Sequence, residues 1–414
     1  MAFQHALSGL NAASKNLDVI GHNIANASTT GFKSSRTEFA DLVASSMGSG
    51  GGGDYGIGVE AATVAQQFSQ GNVTVSGNNL DVAINGNGFF KVQQPDGSAA
   101  YTRAGNFKID KTGDLVTTGG AQVMGFKIDP ATGLSTSEAQ PLSFPTGAPI
   151  EAKATAGITA VLNLDARATG NPAKVGPPAV AAVAPADRST YGTSINVYDT
   201  QGVPVPVSIY FQKADANQWN VYDTLDTTAA PRGTITFDGN GKYVSSTPSP
   251  LTVNVDPSAV NPNNPPAPWD VTIDLSTVTQ LGSEFAVADL SQDGYASGDL
   301  TSISIANNGM VMAAYSNGVT RAEAQVALAN FRNPQGLLAV GGNNWVESFD
   351  SGAAVLGKPG DGNFGALRSG ALEDSNVDLT AELVNMMTAQ RAYQANAQTI
   401  KTQDQVMSTL VNLR

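Results

Sequence analysis

The chain has 414 residues, a formal net charge of −13 and no cysteine. The charge argues against a nucleic-acid-binding protein, which needs a basic surface to displace counterions from phosphates, and no polybasic cluster for an anionic membrane occurs. Without cysteine there is no disulfide, no thiolate metal site and no cysteine nucleophile. The apolar fraction of 41% and charged fraction of 14% are typical of a globular protein, and the length favours two or three domains.

The first predicted element is an N-terminal helix. Large apolar residues follow one another at a spacing of four and three positions, which is the period of a helix seam. These residues are Phe3, Leu7, Leu10, Leu17 and Ile24. The two histidines, His5 and His22, lie too far apart for the i, i+4 spacing of a metal pair, so we interpret them as seam or surface residues.

The middle of the chain is predicted to be β-structure. It contains 15 of the 21 prolines between Pro149 and Pro268, and proline interrupts helices. Short apolar runs separated by glycine and asparagine begin near Val73, and the Asn308–Gly309 pair between alternating residues predicts a hairpin. The glycine-rich segment 47–58 is not followed by the Lys-Ser/Thr of a phosphate-binding loop, so we predict a flexible linker there. The Ala/Pro/Val stretch 165–188 and the proline-rich segment 261–268 bracket an inserted β domain.

The last predicted element is a C-terminal helix. The same four-three spacing returns and continues for four heptads, with polar interruptions at Gln390 and Asp404. Its large apolar residues are Leu379, Leu383, Met386, Tyr393, Ile400 and Met407. An amphipathic helix buried on its own domain is one interpretation. The terminal position of both seams and their weakly charged outer faces favour assembly between chains.

The predicted fold class is α+β and multidomain, with terminal α-helices forming a coiled-coil-like domain and two mainly antiparallel β domains nested by insertion. We expect the helical polymerisation domain at residues 1–27 and 376–414. Linker segments are expected at 28–70 and 356–375. The inner β domain is expected at 71–147 and 287–355, with the outer β domain inserted at 148–286.

Motifs of catalytic or cofactor-binding sites are absent from the sequence. There is no Gly-x-Ser-x-Gly elbow, and the Asp238–Gly241 segment lacks the closing acidic residue of a calcium loop. A carboxylate pair of the kind used in glycoside hydrolysis forms in space and stays open as an alternative, although few aromatic residues are present to bind sugars. We therefore predict a protein that is not an enzyme and that carries no cofactor and no metal.

Three sets of motifs resemble the flagellar axial family of rod and hook proteins. They cover both ends of the chain and the inner β domain, in the order that the family has. The N-terminal set is Ala6–Leu10, Asn23–Asn26 and Thr30–Lys33; the inner set is Asn79–Gly86, Gly88–Phe90 and Tyr101–Phe107; the C-terminal set is Ser375–Leu379, Glu382–Val384 and Gln390–Asn396. The large insertion and the ending Thr399–Gln405 are similar to the hook members rather than the rod members.

The resemblance implies a structural subunit of a curved hook tube that acts as a universal joint. It implies contacts with copies of itself, a hook cap protein, a distal rod protein and a hook–filament junction protein, with no nucleic acid and no membrane insertion. Residue pattern alone indicates a cytosolic protein, because no cleavable signal peptide is recognisable. The resemblance instead implies export through the flagellar type III apparatus without cleavage, to the outside of the cell.

Under this resemblance the helix-seam residues are the expected assembly residues, and Asp378 and Arg391 are candidates for polar pairs between subunits. Two alternatives stay open. One is a distal-rod subunit of the same family, which would form straight polymers. The other is a secreted β-rich adhesin or carbohydrate enzyme, which would be indifferent to loss of the termini.

Overall fold

The computed structural model describes residues 2–44, 55–129, 132–144, 147, 149–170 and 186–412, with side chains for 4–42, 58–129, 132–144, 147, 149–170 and 186–409. Helix α1 spans Ala2–Ala25 and helix α2 spans Leu379–Asn412, so both predicted terminal helices are confirmed. Asp378 caps α2, since its carboxylate accepts hydrogen bonds from the backbone N–H groups of Thr380 and Ala381 at 2.9 and 3.1 Å. Over the described residues, neither helix has the length and hydropathy needed to cross a membrane.

The strands are short and follow one another closely along the chain. Strands β1 to β10 are Ser35–Ala44, Tyr55–Gln66, Val73–Val75, Val82–Asn85, Phe89–Gln93, Ala99–Thr102, Lys108–Ile109, Leu115–Val116, Gln122–Lys127 and Gln140–Pro141. Strands β11 to β20 are Gly157–Asp165, Gly192–Tyr198, Pro204–Asp215, Gln218–Tyr222, Gly233–Phe237, Tyr243–Thr247, Leu251–Val255, Trp269–Asp274, Thr279–Leu281 and Ala286–Gln292. Strands β21 to β29 are Leu300–Ile305, Met310–Tyr315, Thr320–Val326, Leu328–Asn330, Leu338–Gly341, Asn344–Val346, Val355–Gly357, Ala366–Ser369 and Ala371–Glu373. Short 3-10 helices span Arg188–Tyr191, Pro257–Ala259 and Pro334–Gly336.

The chain divides into two compact units. Unit 1 comprises Met1–Thr146, Ser302–Ala314 and Thr320–Arg414, and unit 2 comprises Gly147–Thr301 and Tyr315–Val319. Unit 1 therefore contains both terminal helices and the β-structure that lies next to them in sequence.

In unit 1 the main sheet has the strand order β21-β22-β23-β9-β5-β6-β26-β25, with antiparallel pairing between β5 and β6 and between β5 and β9. Strands β21 and β22 are neighbours across the Asn308–Gly309 turn, where Gly309 adopts a φ of 78°, so the predicted hairpin is confirmed. An aromatic cluster packs against this sheet, with Tyr101 and Phe331 edge to face at 4.8 Å between ring centroids.

Unit 2 contains two five-stranded sheets, one with the path β17-β18-β11-β19 plus β20 and one ordered β12-β13-β14-β15-β16. Their buried residues form one hydrophobic cluster, which includes Leu164, Phe211 and Val271. The buried Trp219 indole of β14 donates a hydrogen bond of 2.9 Å to Gln280 of β19. Strand β11 pairs in parallel with β18 and β19, so this unit is mainly but not wholly antiparallel.

Two predicted linkers and one predicted domain boundary differ from the structure. The segment 28–70 is predicted to be linker, yet β1 and β2 form an antiparallel hairpin there. The predicted linker 356–375 contains β28 and β29, which pair with β4 and β3. The glycines in and around the segments 28–70 and 356–375 give them the composition of a linker. The short strands there are therefore not evident from the sequence. The boundary expected at 286/287 falls in β20, which pairs with β11 inside unit 2; this strand is largely exposed and lacks an alternating apolar pattern. Residues 47–54 and 171–185 of the predicted flexible segments lie outside the described residues.

Candidate functional site

Helices α1 and α2 pack side by side and run antiparallel. Near one end the side-chain amide of Asn23 donates a hydrogen bond of 3.1 Å to the Glu382 carboxylate. Towards the other end Gly9 lies against Asn396, and a Cβ atom at Gly9 would stand 2.9 Å from the Asn396 amide nitrogen. The number of residues from Gly9 to Asn23 on α1 equals the number from Glu382 to Asn396 on α2. The two helices therefore stay in register between these contacts.

Most of the buried apolar side chains of α1 are small. They are Ala6, Ala12 and Ala13, with Ile20 as the one large member among the described residues. On α2, Ala389 is buried, and Met386 is half-buried one turn before it. Small side chains let two helix backbones approach closely, which explains why Gly9 has no room for a side chain.

Helix α2 has a second apolar face that the described residues leave about half exposed. Leu379, Leu383, Val384 and Met387 are 48, 51, 49 and 52% exposed. Their spacing places them on one side of the helix, at positions i, i+4, i+5 and i+8. Soluble monomers rarely leave a contiguous apolar stripe in water, and such stripes mark interaction surfaces.

The structure places the predicted assembly residues on two different surfaces. Half-buried side chains are Leu10, Leu17, Ile24, Met386 and Ile400. Side chains exposed by 38 to 56% are Leu7, Leu379, Leu383, Tyr393 and Met407. The side chain of Phe3 lies outside the described residues.

The predicted α2 seam is therefore only partly the contact face towards α1. Met386 and Ile400 belong to this face, but its other positions include Glu382, Ala389 and Asn396. A search for large apolar residues passes over these small and polar ones and selects Leu379 and Leu383 instead. Arg391, a candidate for a polar pair between subunits, is exposed, whereas Asp378 already caps its own helix.

The β1–β2 hairpin holds α1 from another side. The Asn23 amide accepts a hydrogen bond from the Ser35 backbone N–H and donates one to the Ser35 carbonyl, both at 2.8 Å. At the other end of the hairpin, the Val59 N–H donates to the Ser8 hydroxyl at 3.3 Å. Asn23, which is 1% exposed, thus connects α1, the hairpin and α2 at one point.

Beneath the helices lies a buried cluster of three charged side chains. The Glu373 carboxylate at the end of β29 lies 2.6 Å from the Lys33 ammonium and 3.2 Å from the Arg103 guanidinium. Glu373 and Lys33 have no exposed side-chain surface, and Arg103 has 5%. Lys33 belongs to the N-terminal motif set, Arg103 belongs to the inner set, and Glu373 lies just before the C-terminal set. Segments distant in sequence therefore meet in this cluster.

Backbone groups add further hydrogen bonds to this cluster, although the buried Arg103 Nε has no partner. Glu373 also accepts from the Gly71 N–H at 2.9 Å, Lys33 donates to the Ser69 carbonyl at 2.7 Å, and Arg103 donates to the Gly86 carbonyl at 2.9 Å. Burial lowers the pKa of Lys33 and of Arg103, because removal from water penalises the charged form, and the nearby Glu373 carboxylate opposes this shift. The pairing allows two cations to stay buried.

The backbone of Gly31 packs against the backbone of Ala104 and of Glu373, next to the charged cluster. Its φ of +70° is in the left-handed region, and a Cβ atom there would stand 2.6 Å from the Ala104 backbone nitrogen. The Gly31 N–H donates a hydrogen bond of 2.8 Å to the Glu373 carbonyl. Only glycine satisfies both the conformation and the close approach.

Asn376 joins the C-terminal segment to the N-terminal one just before α2 begins. Its side-chain oxygen accepts from the Ser34 N–H at 2.7 Å, and its amide nitrogen donates to the Gln67 carbonyl at 2.7 Å. These contacts determine where the chain leaves the β-structure to enter α2. Glu373 and Asn376 therefore anchor the C-terminal helix to the segment that follows the N-terminal helix.

This arrangement consists of hydrogen bonds, ion pairs and close backbone contacts between segments distant in sequence. Among the described residues there is no group of three or more histidine, aspartate or glutamate side chains that could hold a metal ion. His22 packs near Phe32, with 5.5 Å between the ring centroids. Sequence reasoning selected the motifs around Lys33 and Arg103 but passed over Glu373, because a single glutamate near the end of a short strand carries no local sign of burial.

Replacing Asn23 by alanine should lower the stability of the α1 packing by about 2 kcal/mol, because it leaves buried backbone groups of Ser35 without partners. Hydrogen exchange of α1 and hairpin peptides measures this change as faster opening. Asn26→Ala is the matched control, since the Asn26 side chain bonds only to near neighbours in sequence, donating to the His22 carbonyl at 2.9 Å and accepting from the Thr29 hydroxyl at 3.3 Å. Equal exchange in the two variants would show that Asn23 does not connect these elements.

Comparison with known families finds matches along most of the chain. Residues 3–33 match the family model "Flagella basal body rod protein", and residues 83–158 match "Flagellar hook protein FlgE/F/G D1 domain". Residues 163–295 match "Flagellar basal body protein FlaE D2 domain", and residues 368–413 match "Flagellar basal body rod FlgEFG protein C-terminal".

Similar proteins extend over the whole chain. The flagellar hook protein FlgE of Escherichia coli is 42% identical over 425 residues, covering 100% of both chains. The flagellar hook protein FlgE of Rhizobium meliloti is 35% identical, covering 99% of this chain and 97% of the relative. A solved structure, the flagellar hook protein FlgE2 of Helicobacter pylori, has a similar fold with a TM-score of 0.50 and 16% identity, covering 72% of this chain and 100% of that one.

Proposed function

Because this chain belongs to the flagellar hook protein family and is a structural subunit of the hook, we propose that its terminal helices carry the contacts that join subunits into a curved, flexible tube. In this proposal residues 1–27 and 376–414 form a coiled-coil-like polymerisation domain. The assembly residues are those of the two seams, from Phe3 at the start of α1 to Met407 near the end of α2. The tube acts as a universal joint that transmits motor torque to the filament.

The observation that supports this proposal most is the uncovered apolar face of α2. Leu379, Leu383, Val384 and Met387 are each about half exposed although their helix is already packed against α1. Burying such side chains stabilises a contact by about 1.5–3 kcal/mol each when burial is complete. A neighbouring subunit supplies that burial, and a contact between unlike surfaces extends into a helical polymer.

The β-structure has a different role in the proposed tube. The β-structure of unit 1 is proposed as the inner β domain, and unit 2, Gly147–Thr301 with Tyr315–Val319, as the inserted outer β domain. The buried Glu373 cluster makes the helices and the inner β-structure of unit 1 one mechanical body. Torque applied to the helices is then transmitted to the β-structure of unit 1, because the two move together.

The proposed partners follow from this place in the flagellum. The subunit contacts copies of itself, a distal rod protein below, a hook cap protein during growth and a hook–filament junction protein above. It reaches the outside of the cell through the flagellar type III export apparatus without cleavage of a signal peptide. In this role the subunit needs neither a catalytic centre nor a cofactor.

The test of the proposal is a double variant of the uncovered face, Leu383→Gln with Met387→Gln. We expect the critical concentration for polymerisation to rise by about thirtyfold or more, because two half-exposed apolar contacts are lost. The monomer should keep its fold, since both side chains are about half exposed in the isolated chain and glutamine keeps the aliphatic part of each. Sedimentation of polymers measures the concentration, and electron microscopy shows whether the parent chain forms curved tubes.

Val244→Gln with Leu281→Gln is the matched control, because these side chains are 60 and 48% exposed but belong to unit 2. The control should polymerise as the parent chain does. A helix variant that polymerised at the parental concentration, or a parent chain that formed only straight rods, would contradict the proposal.

A further inference from the structure

Phe349 is exposed to an unusual degree. Its side chain has 100% of its accessible surface in contact with solvent. Large aromatic side chains normally bury most of their area, and those left outside are enriched in protein interfaces. No role in the proposed helix contacts explains this residue, since it lies in the β-structure of unit 1.

The turn that carries Phe349 is rigid. The Ser348 hydroxyl donates a hydrogen bond of 2.6 Å to the Gly336 carbonyl and accepts from the backbone N–H groups of Asp350 and Ser351 at 3.1 and 3.2 Å. The Ser351 hydroxyl accepts from the Ser348 N–H at 2.9 Å, and Ser351 is only 1% exposed. The phenyl ring is therefore presented by a turn whose conformation is already determined.

The neighbouring edge strand continues the apolar surface. Gly336 packs directly on this turn, with a Cβ atom at Gly336 falling 2.4 Å from the Ser351 nitrogen. It leads into β25, which lies at the end of the main sheet and whose four residues are all exposed. Leu338 and Val340 of this strand are 58 and 49% exposed, and the strand carries no charged side chain.

We propose that Phe349, together with the exposed Leu338 of β25, is an anchor that docks on a second copy of this chain in the polymer. The inference rests on the proposed function in one respect, namely that copies of the chain assemble. The chain is a structural subunit of the hook, so its nearest neighbours in the assembled polymer are copies of itself. A second copy is therefore the partner present at the highest local concentration.

The chemistry of the patch determines the mode of contact. The register between β25 and β26 shifts between Ala339 and Gly341, and a bulge of this kind disfavours addition of a further strand at the edge. Docking is consequently through side chains, with the aromatic ring entering a recess of the neighbour. An aromatic anchor on a rigid turn loses little conformational freedom on binding, which is the character of an interface hot spot.

The first test compares Phe349→Ser with the parent chain in polymerisation. We expect the critical concentration to rise about tenfold, with no change in monomer unfolding, because the side chain is fully exposed. Phe349→Trp should restore assembly. Leu134→Ser is the matched control, since Leu134 is 70% exposed in the same unit and should change the critical concentration less than twofold.

The second test places the photocrosslinker benzoylphenylalanine at position 349 of the intact chain. Illumination of polymers should yield covalent dimers and larger species, whereas illumination of monomers should yield none. Unchanged assembly of Phe349→Ser, an equal effect of Leu134→Ser, or a polymer without crosslinks between copies would overturn the inference. The helix variants test different residues. If Leu383→Gln with Met387→Gln polymerised at the critical concentration of the parent chain, the helix proposal would be refuted. The Phe349 variants would still show whether Phe349 contacts a second copy.

Discussion

Replacing Glu373 by glutamine is expected to destabilise unit 1 by about 3–5 kcal/mol, because it leaves the buried Lys33 and Arg103 side chains without a counter-charge. Glutamine has nearly the same volume, so the loss measures charge pairing rather than packing. Its amide nitrogen would also place a donor against one of the two cationic donors. Such a loss is a large part of the stability of an ordinary domain.

Native-state hydrogen exchange measures this loss separately for each unit, which a single melting curve of a two-unit protein does not. The protected amides of β4 and β5 in unit 1 should exchange faster than in the parent chain. The amides of unit 2 serve as the internal reference. Glu38→Gln is the matched control, because Glu38 pairs with Arg36 at 2.8 Å on the surface, where both side chains are about half exposed or more. That pair should contribute less than about 1 kcal/mol.

A change below about 1 kcal/mol in the Glu373→Gln variant would mean that water or local rearrangement compensates both cations. The cluster would then not be the connection that makes helices and β-structure one body. The same measurement on α1 peptides shows whether loosening at Glu373 reaches the helices, as the hydrogen bond from Gly31 to the Glu373 carbonyl leads us to expect.

Replacing Gly31 by alanine is expected to cost about 3 kcal/mol or more. Part of the cost is the left-handed conformation, about 1–2 kcal/mol for a residue with a Cβ atom. The rest comes from overlap with the Arg103 and Ala104 backbone, where the new atom would stand 2.7 and 2.6 Å from its neighbours. Backbone atoms cannot move aside as a flexible side chain can.

Gly77→Ala isolates the two contributions. Gly77 has nearly the same φ, +75°, but a Cβ atom there meets nothing within 4 Å. This variant should show the conformational cost alone, and the difference between the two variants gives the cost of the close contact. Urea unfolding followed by hydrogen exchange in unit 1 provides both values. If Gly31→Ala lost no more stability than Gly77→Ala, the segments around Gly31 and Ala104 would be free to separate.

Both predictions concern one structural point with a functional consequence. Glu373, Lys33, Arg103 and Gly31 join the segments that precede α2 and follow α1 to the inner β-structure. Under the proposed function, subunits assemble through the helices while the β-structures of neighbouring subunits move relative to one another. A firm junction between helices and β-structure would then let each subunit carry load during that movement.

Several features were readable from the sequence because their causes are local. The absence of proline before Pro95 and after Pro359 allows long helices only at the ends, and both helices form there. The Asn308–Gly309 pair predicts its hairpin because glycine accepts the positive φ that the turn requires. The motif sets at both ends and in the inner β-structure were sufficient to indicate the family.

Other features were decided only by the tertiary structure. The four-three spacing of α2 is compatible with more than one contact face, and the small residues of α1 together with the Asn23–Glu382 hydrogen bond select the face through Met386 and Ala389. Glu373 finds Lys33 and Arg103 across 340 and 270 residues. No local pattern contains such a pairing, because the free energy that keeps a charge buried comes from partners that the fold brings together.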